Sequence, residues 1–186
     1  MTTKAAFNAE EWTAVTTAPV LTGMLVMAAD RGGSVRESVG ISRAYATARA
    51  GSPGDLLKEI LVTPPTLDRA TVPKDAEGLL TLASAKLRQA VRALDRLASD
   101  DEVVEYKRFV YALAETVARA HREGGFLGIG GTEISEQEQK ALDAVAAIFD
   151  EPPATREEPA PEPAAEAPPE PEPEPAASDG ESPPRP

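Results

Sequence analysis

The chain contains no cysteine and a single histidine, His121. Without a thiol there is no disulfide, no thiolate nucleophile and no Cys-ligated zinc. With one imidazole, a His–His metal pair has no second member, and a Ser-His-Asp triad has little to draw on. His121 closes a helical pattern, where a protonated ring complements the helix dipole, so a capping or surface role is expected for it. No alternating apolar and polar run of useful length occurs, so no strand is expected. Basic residues are outnumbered 19 to 31 by acids and the net charge is −12. That balance argues against nonspecific nucleic-acid binding, which needs clustered Lys and Arg. Met1 to Glu11 lacks the basic-then-apolar order of a leader peptide. The apolar run Pro19 to Ala29 is shorter than the roughly 20 residues that cross a bilayer. The expectation is a cytoplasmic protein with no transmembrane segment, peripheral membrane association staying open.

What the chain has in abundance is Pro, Glu and Ala at one end. Glu151 to Pro186 contains no Val, Ile, Leu, Met, Phe, Trp or Tyr and carries −8 of the net charge. Such a segment has little apolar surface to bury and many fixed proline dihedrals, so residues 151–186 read as an extended, disordered, acidic tail that solubilises or docks. Residues 8–150 then form one domain of ordinary size, preceded by an extension over residues 1–7.

Within 8–150 the recurring pattern is a capped helix ending in a glycine turn. Asn8 and Glu11 form a capping box, with Phe7 and Trp12 placed as a hydrophobic staple. Trp12, Val15, Leu21, Met24, Leu25 and Ala28 supply a stripe, and Pro19 inside it predicts a kink or break near Thr17 to Pro19. After Gly32-Gly33, Ser34 and Glu37 cap a helix through Val35, Val39, Ile41, Tyr45 and Ala48. Ser52-Pro53 starts a short helix carrying Leu56, Leu57, Ile60 and Leu61, and Thr63-Pro64-Pro65 stops it. From Asp75 to Ala98, Leu80, Leu87, Val91 and Leu94 form an amphipathic face. Ser99 and Glu102 cap the next helix, with Val103, Tyr106, Val110, Leu113 and Val117 inward, and the short link makes the two an antiparallel pair. Ser135 and Glu138 cap the last, with Leu142, Val145, Ala146 and Phe149 inward. The fold class is all-α, a single bundle of six or seven helices.

Two groups of oxygen donors invite a hard cation: Asp30 with Glu37 about the first glycine turn, and Glu123, Glu133, Glu136 and Glu138 about the second. Neither has EF-hand spacing, and acids in the first turn of a helix stabilise it in any case. The loop Gly124 to Gly131 lacks the Lys-Ser/Thr ending of a phosphate loop. Its three large apolar residues, Phe126, Leu127 and Ile129, must fold back on the bundle or meet a partner, and they are the candidate docking tip. Ser34, Ser99 and Ser135 are explained as caps, and none lies in a Gly-x-Ser-x-Gly elbow.

The unit of helix, turn, hydrophobic residue and Ser/Thr-x-x-Glu occurs at Ala29 to Glu37 and again from Ala120-His121 to Ile134-Ser135-Glu136-Gln137-Glu138. It resembles the tellurite-resistance TerB-like all-helical domain over residues 9 to 149. The resemblance implies a compact helical bundle, a role in bacterial stress-associated complexes at or near the membrane, and acidic loop residues suspected of metal binding. By position these are Asp30, Glu37 and Glu138. The first turn has one residue more than the family pattern, and the second places His121 where the family has an acid. Lacking a nucleophile–base pair, a redox thiol and a cofactor loop, the chain is expected to be a non-catalytic interaction or stress-associated module with a protein partner and no cofactor. A divalent-metal protein holding Ca or Mg, and an enzyme working by paired carboxylates, are the alternatives.

Overall fold

The computed structural model describes residues 1–29, 35–65, 67–68, 70–122 and 134–151, with no account of the side chains of 35–38 and 121–122. The chain divides into two units, Met1–Thr155 and Arg156–Pro186. All the described residues lie in the first. They form six α-helices: α1 (Ala9–Ala29), α2 (Val35–Ala50), α3 (Asp55–Val62), α4 (Ala76–Leu97), α5 (Asp100–Arg122) and α6 (Glu136–Phe149), preceded by a 3₁₀ turn at Lys4–Ala6. The all-α reading holds, and no strand occurs among the described residues. Of the tail expected over residues 151–186, all but Glu151 lies outside them.

α1 is the centre of the bundle and packs on each of the other five helices. Its start is fixed locally. The Glu11 amide donates to Asn8 Oδ1 at 2.9 Å, the Asn8 amide donates to Glu11 Oε2 at 2.9 Å, and the Phe7 and Trp12 rings meet at 5.6 Å. The six consecutive residues Ala14 to Pro19 are all buried, so every side of the helix faces protein. Buried hydroxyls of the helix are satisfied within it: Thr16 and Thr22 donate to the carbonyls of Trp12 and Ala18. By length and composition the helix could cross a membrane, and 67% of its most apolar window is buried inside the bundle. The apolar element is thus the whole of Ala9–Ala29 rather than the shorter run after Pro19.

The break expected at Pro19 does not occur. Proline has no amide, so the carbonyl four residues back, that of Val15, loses its helical donor. Tyr106 of α5, fully buried, supplies it: its hydroxyl donates to Val15 O at 3.0 Å. Burial raises the Tyr106 pKa well above the ordinary value, with Tyr45 adding to it, so the hydroxyl stays a donor.

The most extensive pairings are α1 on α4 and α2 on α5. Asp75 caps α4 by accepting from the Gly78 amide at 2.7 Å. The buried arc of α4 runs through Leu79, Ala83, Leu87, Ala90, Val91, Ala93 and Leu94. Leu80 is 39% exposed instead of inward, because the three buried alanines turn the arc away from it. α5 is not the principal partner of α4, although the chain reverses between them at Ala98-Ser99; α1 takes that place. On α2 the seam is Gly40, Ala44 and Ala48, and Val39 is 57% exposed. A Cβ on Gly40 would meet Val117 Cα and Ala120 Cβ at 3.2 Å, so the small residue sets how closely α2 approaches α5. α6 turns Ala141, Leu142, Val145 and Ile148 inward, leaving Ala146 and Phe149 half-buried.

α3 begins two residues later than Ser52-Pro53 suggested. Ser52 adopts a left-handed φ of 56° and serves the turn after Gly51. The cap residue is Gly54, whose amide donates to Glu105 Oε1 of α5 at 2.8 Å, so the cap comes from another helix. At its far end Arg49 Nη2 donates to the Leu61 carbonyl at 2.7 Å.

Candidate functional site

Val62, the last residue of α3, is 70% exposed, the most exposed large apolar side chain after Met1 among the described residues. It rims a groove of about 420 Å³. Val20 of α1, Ile41 and Tyr45 of α2, and Leu61, Pro64 and Pro65 make its apolar walls; Ser42, Arg49 and Thr63 are its polar members. The groove exists because α3 ends there. Pro64 and Pro65 cannot continue the helix, and the chain leaves while Arg49 holds the last turn of α3 to α2. Tyr45 is fixed edge-on to Phe109, centroids 5.2 Å apart at 88°, with the Arg49 guanidinium 5.8 Å from its ring centre. Burial pushes the Tyr45 hydroxyl up to about 12, against the opposing pull of Arg49, so it is neutral at any physiological pH.

A second groove, about 530 Å³, lies between the start of α1 and the end of α4. Its floor carries Arg88, Arg92 and Arg96, one turn apart on α4. Arg88 Nε pairs with Glu151 at 2.7 Å and Arg96 pairs with Glu11. Arg92 has no ion pair among the described residues, and Glu10 and Glu11 line the same groove. Its positive and negative groups nearly balance, so its charge selects no ligand.

Of the acidic candidates, Glu138 is committed to the fold. Glu138 is 1% exposed and closes the α6 capping box: its Oε2 accepts from the Ser135 amide at 2.8 Å, and its own amide donates to Ser135 Oγ at 3.2 Å. Glu37 lies in α2 with its side chain outside the described set. Asp30, Glu123 and Glu133 lie outside the described residues, as does the docking tip Phe126, Leu127 and Ile129. Among the described residues no three His, Asp or Glu side chains gather closely enough to hold a metal ion. Glu102 gathers donors instead. It accepts from the Ser99 amide and hydroxyl at 2.9 and 3.0 Å and from the Thr2 amide and hydroxyl at 2.9 and 2.8 Å. Desolvation pushes its carboxyl up, and these four bonds outweigh it, leaving the pKa lowered to about 2.

Sequence reasoning missed the groove residues. Thr63-Pro64-Pro65 was legible as a helix stop, and the only further signal was an apolar residue, Val62, placed directly before it. Comparison with protein-family models, curated proteins and solved structures finds no match to this chain. The likeness to the TerB-like domain therefore rests on the residues quoted for it.

Proposed function

We propose that this chain is a non-catalytic helical interaction module, and that the groove between α2 and the end of α3 receives an apolar side chain of a protein partner. The observation that carries the reading is Val62, left 70% exposed on the rim of a groove walled by Tyr45, Ile41, Val20 and two prolines. Exposed apolar surface beside a preformed cleft is the usual ground for recognition. The rest of the polar chemistry around it is spent internally, with Arg49 holding the α3 carbonyl and Tyr45 kept neutral. A place in a bacterial stress-associated complex, with Phe126, Leu127 and Ile129 as a second contact, extends the reading along the TerB-like resemblance. A divalent-cation role would draw on Asp30 and Glu37, since Glu138 is held in its cap.

A photo-crosslinking residue placed at position 62 tests this in lysate of the native cell. It should yield one reproducible adduct that Ile41→Ser weakens, while the same group at Leu80 on α4 yields none. Equal labelling from both positions would overturn the groove as the docking surface.

A further inference from the structure

We infer that Met1–Phe7 is a strap, closed over Trp12 by ties to two carboxylates, and that it opens as a unit while the helical bundle stays folded. The strap has its own short structure: the Ala6 and Phe7 amides donate to the carbonyls of Thr3 and Lys4 at 3.0 and 3.1 Å. Its attachments to the bundle are few. The Thr2 amide and hydroxyl bind Glu102 at the start of α5, the hydroxyl also reaches Leu97 O at 3.3 Å, and the Lys4 amide donates to Glu59 Oε2 of α3 at 2.6 Å. Between these ties the strap lies over the indole, with Phe7 ring to ring and Lys4 Nζ 5.9 Å from the ring centre. Apart from Thr2 and Phe7 its residues are exposed, so little apolar area holds it down. Segments with few buried contacts open at a free energy well below that of the whole domain.

Two features separate the strap from the bundle. The first turn of α1 is closed by the Asn8–Glu11 capping box and by the Glu11–Arg96 ion pair, neither of which uses a strap residue. The closed state also leaves a cost: Trp12 Nε1 is buried, in a residue 7% exposed, and finds no acceptor among the described residues. A buried donor without a partner favours any rearrangement that lets water reach it. Opening parts Phe7 from Trp12 and exposes both rings, with the indole N–H free to meet water.

Trp12 is the only tryptophan, so its fluorescence reports the strap directly. In the full chain, Thr2→Pro with Glu59→Ala removes the Thr2 amide and hydroxyl donors and the Lys4 acceptor while leaving the Glu102 cap on Ser99. The expected result is red-shifted emission and stronger iodide quenching, with helical circular dichroism unchanged. An indole as protected as in the wild type, in a variant with wild-type helicity, would overturn the inference. Should that variant lose its helicity, hydrogen exchange on the wild type decides: the Ala6 and Phe7 amides must exchange far faster than the core of α1, and equal protection would overturn it.

Discussion

α1 and α4 are nearly the same length, 21 and 22 residues, and lie against each other, yet their sequences encode burial in opposite ways. α4 displays its inner face as a stripe and its outer face as charge. Through Ala14–Pro19 α1 has no outer face: a residue on any side of that stretch is buried. Amphipathic periodicity marks helices that sit at a boundary, and it vanishes for the helix that the others surround. The difference teaches that weak periodicity in an apolar segment marks a central position as well as a membrane span.

The sharpest way to break the comparison is to place a charge on each helix. Ala18→Glu, at a position with no solvent access in α1, should cost more than about 4 kcal/mol and leave little folded protein, because the carboxylate has neither water nor a partner. Ala85→Glu, on the exposed face of α4, should move stability by no more than about 0.5 kcal/mol. Thermal unfolding followed by circular dichroism reads both. Similar losses at the two sites would contradict the central placement of α1.

A subtler break removes the hydroxyl that lets α1 run through its proline. Tyr106→Phe leaves the Val15 carbonyl buried and unpaired, at a cost of about 1–3 kcal/mol. In a Pro19→Ala background the new amide at position 19 serves that carbonyl, so the same change should cost markedly less. Equal costs in the two backgrounds, measured by denaturant unfolding, would show that the hydroxyl and the proline are not coupled.

The smallest effect concerns acid. Glu102 titrates near 2 when folded against an ordinary 4.5, so its contribution is complete above pH 4.5 and is lost as pH falls toward 2. Because the group is partly solvated, screening leaves about 1 kcal/mol. Glu102→Gln should flatten the stability profile between pH 4.5 and 2 relative to the wild type. An unchanged slope in that window would mean that the four donors do not select the carboxylate.

The sequence made legible whatever is settled between residues three or four apart. The boxes Asn8–Glu11, Ser99–Glu102 and Ser135–Glu138 and the Phe7–Trp12 staple are all present, since each needs only its own turn of chain. What failed needed a partner from elsewhere. Pro19 reads as a break until Tyr106, 87 positions on, supplies the missing donor, and Ser52-Pro53 reads as a helix start until Glu105 caps Gly54. Leu80 and Val39 were placed inward because large side chains outweigh alanine and glycine in a reading of periodicity, whereas the close helix contacts here are built on Gly40, Ala44, Ala83 and Ala90. The groove at Val62 is assembled from α1, α2 and the chain after α3, so no local pattern carries it.

The central place of α1 also has a price in time. The most apolar helix is made before its principal cover, and the end of α4 follows the end of α1 by 68 residues. At synthesis rates of about 5–20 residues per second, that leaves α1 without its main neighbour for roughly 3–14 s. Helix α2, made next, has its own main partner, α5, still further along the chain. The nascent protein therefore carries its stickiest segment without its main cover while 68 of its 186 residues are made, and newly made chains, rather than finished ones, are where aggregation and chaperone demand should concentrate.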